Sequence, residues 1–178
     1  ACYSVSERDA IVKWALDRGL FIIADEIYDQ LVYEPNKPSS IIVWWKQYPD
    51  RIAVVNGLAK SFAMTGWRVG VIIAEPELLE VMHGINGSLV YSAPSISQRA
   101  GIQALAMRKE IREKYVTAYR DRIFYSADRI EKIPYLSLVR PKGTFYLFPG
   151  VEKTGLGDKQ FCKELLERAH VLVSAGSP

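Results

Sequence analysis

Arg51-Ile52-Ala53-Val54-Val55-Asn56-Gly57-Leu58-Ala59-Lys60-Ser61-Phe62-Ala63-Met64-Thr65-Gly66-Trp67-Arg68-Val69-Gly70-Val71-Ile72-Ile73-Ala74 sets two apolar runs around a loop that carries a lysine and an arginine. Short unbroken runs of Val, Ile and Ala suit strands buried on both faces of a parallel sheet. Asn56-Gly57 reads as a turn that closes the first run. A similar run lies upstream, Leu20-Phe21-Ile22-Ile23-Ala24, and ends in Asp25-Glu26-Ile27-Tyr28. Between them, Glu34-Pro35-Asn36-Lys37-Pro38-Ser39-Ser40 reads as loop.

Helical spacing surrounds these strands. Ser4-x-x-Glu7 predicts a capping box. Val5, Ala10, Ile11, Trp14, Ala15 and Leu16 then share one helical face, and Gly19 stands where the chain leaves the helix. Pro76 opens a helix over Glu77 to Met82, and Pro94 opens another through Ala100 and Leu105. A long charged helix follows, from about Arg108 to Ile133. After Pro134 the texture changes to short strands at Leu136–Val139, Thr144–Phe148 and Val171–Val173, the first two joined in a hairpin at Gly143. A helix from about Asp158 to Ala169 precedes the last of them. The expected organisation is α/β in the first part and a smaller α+β unit in the second, with the division near residue 108.

Composition narrows the function. Apolar residues make up 49% of the 178, enough for a sizeable core, and the net charge is +3. Basic residues form no block, which leaves no electrostatic case for nucleic acid or an anionic membrane as partner. Cys2 and Cys162 offer neither metal-ligand spacing nor a disulfide framework, and they suit a reducing cytoplasm. Both ends read as cut: a helix cap stands at the very start, and Gly176-Ser177-Pro178 follows an apolar run. The sequence is therefore expected to be a piece of a longer chain.

Chemistry gathers at the strand ends. In open α/β sheets, ligands bind beyond the carboxyl ends of strands. Asp25 and Tyr28 follow one strand, Asn56 and Lys60 follow another, and Arg68 precedes a third. An acid, a phenol, an amine and a guanidinium are thus expected to face one crevice. Arg68 between Gly66 and Gly70 calls for a nearby anion. Glu26 reads as a cap or an orienter of its neighbours, and His83 and His170 read as surface residues without catalytic partners. Trp67 reads as packing rather than stacking.

These residues carry a resemblance. Asp25-x-x-Tyr28, the stretch Asn56 to Gly70, Ala93-Pro94-Ser95-Ile96-Ser97-Gln98, Gly143-Thr144-Phe145-Tyr146 and Val173-x-x-Gly176-Ser177 are together similar to the C-terminal half of class I/II aminotransferases, the aspartate-aminotransferase-like enzymes of pyridoxal-phosphate (PLP) fold type I. The resemblance implies an α/β fold: residues 1–108 as the C-terminal part of a PLP-binding large domain with a parallel-type sheet and helices, and 109–178 as an incomplete small α+β C-terminal domain. It implies pyridoxal 5′-phosphate as cofactor, amino acids and 2-oxo acids as substrates, and a homodimer.

The same resemblance assigns roles. Lys60 matches the lysine that binds the cofactor aldehyde and later moves the substrate Cα proton. Such an amine must be partly unprotonated, which nearby positive charge and desolvation promote. Asp25 matches the carboxylate beside the pyridine nitrogen, Tyr28 the phenol at the ring O3′, and Arg68 the guanidinium on the phosphate, where a bidentate fork suits a dianion. Tyr33, Tyr91 and Ser92 are lesser candidates. Ala59 and Gly57 stand where many relatives have hydroxyls that help hold phosphate. The same scaffold also supports C–S lyases, sensor domains of transcription regulators and inactive remnants, so fold alone does not choose the reaction.

Overall fold

The computed structural model describes residues 2–178. It contains two compact units. The first runs to Tyr119 and takes in Lys142–Thr144; the second comprises Arg120–Pro141 and Phe145–Pro178.

In the first unit, α1 (Val5–Leu16) begins at the expected capping box. The Glu7 amide donates to Ser4 Oγ at 3.3 Å, and the Ser4 amide donates to the Glu7 carboxylate at 2.8 Å. The helix ends before Gly19, whose φ of +69° places it in the left-handed region open to glycine. Its buried residues are Val12 and Ala15, whereas Ile11 and Trp14 of the anticipated apolar face are about half exposed.

The strands β1 (Ile22–Asp25) and β2 (Ile52–Gly57) run parallel, with Ile22 opposite Ile52 and Asp25 opposite Val55. The crossover between them carries the short α2 (Ile42–Trp45). Val12, Ile41, Ile52 and Val54 form the core here, with Leu16, Ile22, Ala24, Trp44 and Trp45 packed around it. Burying a side chain of this size contributes roughly 1.5–3 kcal/mol.

The third strand, β3 (Gly70–Ile73), differs from expectation in direction: it runs antiparallel to β2, making the sheet mixed. It is also largely exposed, with Val71 at 55% and Ile73 at 40%. Asn56-Gly57 is not a turn. Both residues stay in β2 and pair with Val71 and Gly70. A Cβ on Gly57 would stand 3.0 Å from the Val69 carbonyl oxygen and 3.2 Å from Gly70 Cα, so two backbones meet where only glycine leaves room.

Beyond the sheet, α3 (Pro76–Leu89) has Pro at its first turn, and α4 (Ser95–Ala106) and α5 (Arg108–Ile130) follow. In the second unit, Ile123 and Ala127 of α5 are buried. Here β4 (Ser137–Leu138) pairs antiparallel with β5 (Pro149–Gly150), and α6 (Asp158–Ala169) closes the series.

The hairpin expected around Gly143 is absent. Pro141 supplies no ladder donor, and Thr144 has φ +65°, which a strand does not accommodate. Gly143 instead makes an antiparallel bridge with Val32 in the first unit. The Tyr33 amide donates to the Lys142 carbonyl at 2.9 Å, and the Thr144 amide to the Leu31 carbonyl at 2.7 Å. Residues 171–173 form no strand either; they follow His170, whose φ of +55° caps α6, and Leu172 is 81% exposed.

Candidate active site

Strand direction places the candidate residues. Because β1 and β2 are parallel, Asp25 ends one strand at the level where β2 reaches Val55. Lys60 lies three residues past the end of β2. Arg68 lies two residues before β3, whose Gly70 pairs with Gly57. All four candidates therefore belong to the carboxyl end of β1 and β2 and the β2–β3 connection.

Asp25 is exposed, and its Oδ1 accepts from the Ile27 amide at 3.1 Å. That bond folds the chain into the turn 27–30, which carries Tyr28. Tyr28 accepts at its carbonyl from the Leu31 amide at 2.9 Å, and so hangs from the buried Leu31.

The lysine sits in a compact loop. The Phe62 amide donates to the Leu58 carbonyl at 3.2 Å, and the Met64 amide to the Ala59 carbonyl at 2.9 Å. Gly57 before Lys60 and Ser61 and Met64 after it are buried, so the loop is rooted on both sides of the lysine, which is itself half-buried. Leu58 anchors it further against α4, where a Cβ on Gly101 would come within 2.7 Å of the Leu58 Cδ1. The result brings two candidates together: Lys60 Nζ lies over the Tyr28 ring, 6.0 Å from its centroid.

Arg68 is exposed and left-handed, with φ +55° and ψ +47°. One guanidinium N–H donates to the Thr65 carbonyl at 3.0 Å. A non-glycine residue in this region is held there at a cost of order 1 kcal/mol, and such residues cluster at ligand sites. Ala63, at φ +53°, lies in the same β2–β3 connection.

Tyr33 departs from its sequence reading. Tyr33 is no site candidate: it is 1% exposed and its hydroxyl donates to the Thr144 carbonyl at 2.5 Å. Burial, with Tyr119 and Cys2 nearby, pushes its phenol up to about 12. Trp67 is 41% exposed. Tyr91, at φ +60°, is 83% exposed, and Ser92 beside it is exposed as well.

One feature carries no sequence signal. A cavity of about 400 Å³ opens beside β1, lined among others by Cys2, Asp25, Tyr28, Ser40 and Thr144. Burial raises the Cys2 thiol above its usual range. Glu26, read from the sequence as a cap or an orienter, accepts from Ser40 Oγ and from the Ile41 amide, partners that the sequence did not indicate.

A carboxylate, a phenol, an amine and a guanidinium fit the ring nitrogen, ring hydroxyl, aldehyde and phosphate of pyridoxal 5′-phosphate. The fold is that of PLP fold type I aminotransferases, a class of PLP-dependent transferases. Superposition on an aromatic aminotransferase from Pyrococcus horikoshii gives a TM-score of 0.91 at 30% identity, covering 98% of this chain and 47% of that one. A Thermus thermophilus aspartate aminotransferase variant gives 0.87 at 29% identity, covering 98% and 45%.

Residues 2–178 match the family model of class I and II aminotransferases, and the chain belongs to that family. It is 32% identical to an aspartate aminotransferase of Pyrococcus horikoshii over 94% of this chain and 42% of the relative. It is also 32% identical to an asparagine–oxo-acid transaminase of Streptococcus mutans, over 98% and 46%. The chain thus spans about half the length of the curated relatives it matches.

Proposed function

We propose that the protein transfers an amino group from an amino acid to a 2-oxo acid, with Lys60 as its catalytic lysine and Asp25, Tyr28, Lys60 and Arg68 as its cofactor contacts. The observation that supports this most directly is the approach of the Lys60 amine to the Tyr28 ring on a turn that begins at Asp25. The cofactor supplies an electron sink for charge developing at the substrate Cα.

The protein's own groups do the rest. Lys60 is the residue that would hold the cofactor through its aldehyde, and its amine would serve as the base that moves the substrate Cα proton. The Asp25 carboxylate keeps a proton on the ring nitrogen by charge pairing. The Tyr28 hydroxyl donates to the ring oxygen, and Arg68 offers a planar fork to the phosphate. Residues 1–108 serve in this reading as part of the cofactor-binding domain, and 109–178 as part of the small one.

A homodimer in the cytoplasm completes the proposal. Val81, Ile85 and Leu89 stand four residues apart on α3 and are 62%, 57% and 75% exposed, a stripe that favours a covering surface. No helix among the described residues is long and apolar enough to cross a membrane.

The test is chemical. Full-length protein is incubated with pyridoxal phosphate, reduced with borohydride and digested. A cofactor-sized mass increase on the peptide containing Lys60 is expected, together with amino transfer to 2-oxoglutarate. Labelling of another lysine, or none, removes the assignment. Release of pyruvate and ammonia in place of transfer would make the protein a lyase.

A further inference from the structure

Glu26 lies between the two residues proposed to meet the cofactor ring, and every polar group it has is engaged. Its amide donates to the Val55 carbonyl at 2.8 Å, extending the β1–β2 ladder by one rung. Its carbonyl accepts from the Asp29 amide at 3.0 Å, closing the turn that carries Tyr28. One carboxylate oxygen accepts from Ser40 Oγ and the other from the Ile41 amide, both at 2.6 Å.

The far side of this clamp is itself fixed. The Ser40 carbonyl accepts from Arg8 Nη1 at 2.8 Å, and Ser40 Oγ accepts from the Ile42 amide at 3.1 Å. Arg8 pairs with Asp9 at 2.7 Å, and the Trp44 indole donates to the same Asp9 oxygen at 2.6 Å. A chain of short bonds therefore runs from α1 and α2 into the turn at the end of β1.

We infer that Glu26 is a positioning residue: by gripping residues 40–41 it fixes the aim of the Asp25 carboxylate and the Tyr28 phenol. The inference rests on the proposed cofactor site. Glu26 needs no contact with the cofactor to act in this way. A carboxylate suits the position because both partners are donors and it is an acceptor at both oxygens. A bond to a charged acceptor is also stronger than a neutral one. Glutamine keeps one acceptor for the Ile41 amide but turns an NH2 toward Ser40 Oγ, which already accepts from Ile42. Alanine leaves both donors unpaired.

Three variants of the full-length protein test it: Glu26→Ala, Glu26→Gln and Ser40→Ala. Amide hydrogen exchange is read at Ile27 and Asp29 without ligand. Pyridoxal phosphate affinity and the pH dependence of the bound cofactor's absorbance are read by titration. In Glu26→Ala, exchange at the two amides is expected to speed up about tenfold and affinity to fall about tenfold, the effect of losing one charge-assisted hydrogen bond. The absorbance midpoint should shift along the pH axis, because the acid facing the ring nitrogen has lost its fixed aim. Ser40→Ala and Glu26→Gln, each keeping the bond to the Ile41 amide, should both lie between Glu26→Ala and the native protein.

Native exchange at Ile27 and Asp29 in Glu26→Ala overturns the inference. So does faster exchange with native affinity and an unmoved pH midpoint, which would make Glu26 purely structural. Should Glu26→Ala not fold, the same two measurements on Ser40→Ala support or overturn the inference in its place. If the native protein takes up no cofactor, the functional proposal falls, and the exchange rates alone judge whether Glu26 fixes the turn.

Discussion

Lys60 Nζ stands over the ring of Tyr28, 6.0 Å from its centroid, although the two residues are separated by the whole β1–β2 crossover. That distance is the outer limit of a useful cation–π contact. The ring therefore marks where the amine is held more than it binds the charge. Replacing Tyr28 by Phe keeps the ring and removes the hydroxyl. Covalent trapping at Lys60 should survive, while cofactor affinity falls several-fold, equivalent to about 1 kcal/mol for one hydrogen bond. Equilibrium titration with pyridoxal phosphate measures it; loss of trapping in Tyr28→Phe would show that the hydroxyl, not the ring, sets the lysine.

Arg68 sets stability against binding. Its φ of +55° is relaxed by glycine, so Arg68→Gly should leave thermal stability unchanged or raise it by up to about 1 kcal/mol. The same change removes the proposed phosphate fork, and cofactor affinity should fall at least about tenfold. Parallel melting and binding curves check both halves. A variant that is less stable yet binds normally would refute the phosphate role.

Tyr33 ties its segment to residue 144 through a buried hydroxyl. Tyr33→Phe removes the hydroxyl that donates to the Thr144 carbonyl and should cost about 1–2 kcal/mol in chemical unfolding. The pH dependence follows from a phenol raised to about 12 in the fold against an ordinary value of 10.0. The unfolded chain loses this proton first. The stabilisation is thus whole below pH 10 and drains away as pH rises through 12. The native protein should lose stability faster than Tyr33→Phe across that interval, and equal slopes would contradict the shift.

Gly143 and Gly66 make a matched pair. A Cβ on Gly143 would stand 2.4 Å from the Leu31 carbonyl oxygen and 2.7 Å from Cys2 Sγ, whereas one on Gly66 meets nothing within 4 Å. Gly143→Ala should destabilise by about 1–3 kcal/mol through forced separation of the two segments. Gly66→Ala should stay within about 0.5 kcal/mol. Thermal melts of the two variants, run together, make the comparison; similar values would mean that residues 142–144 do not dock as described.

Features that depend on a few neighbouring residues were readable from the chain alone. The Ser4–Glu7 box, Gly19 beyond α1, Pro76 at the start of α3 and the apolar runs of β1 and β2 each answer a local requirement of backbone bonding or burial. Asp25, Tyr28, Lys60 and Arg68 could be named as candidates because they sit within short motifs that carry the family resemblance. Features that need a distant partner were not readable. Gly143 looked like a hairpin turn because glycine is permissive; the missing Cβ in fact admits Leu31 and Cys2. The direction of β3 was hidden because an apolar run is the same read either way. Glu26 could be read as a cap or an orienter, but not its partners Ser40 and Ile41, which lie fourteen and fifteen positions on. Sequence thus chose the elements through short-range bonding and burial and named the candidate residues, while pairing direction, glycine contacts and the partners of Glu26 arose from long-range packing that no local pattern encodes.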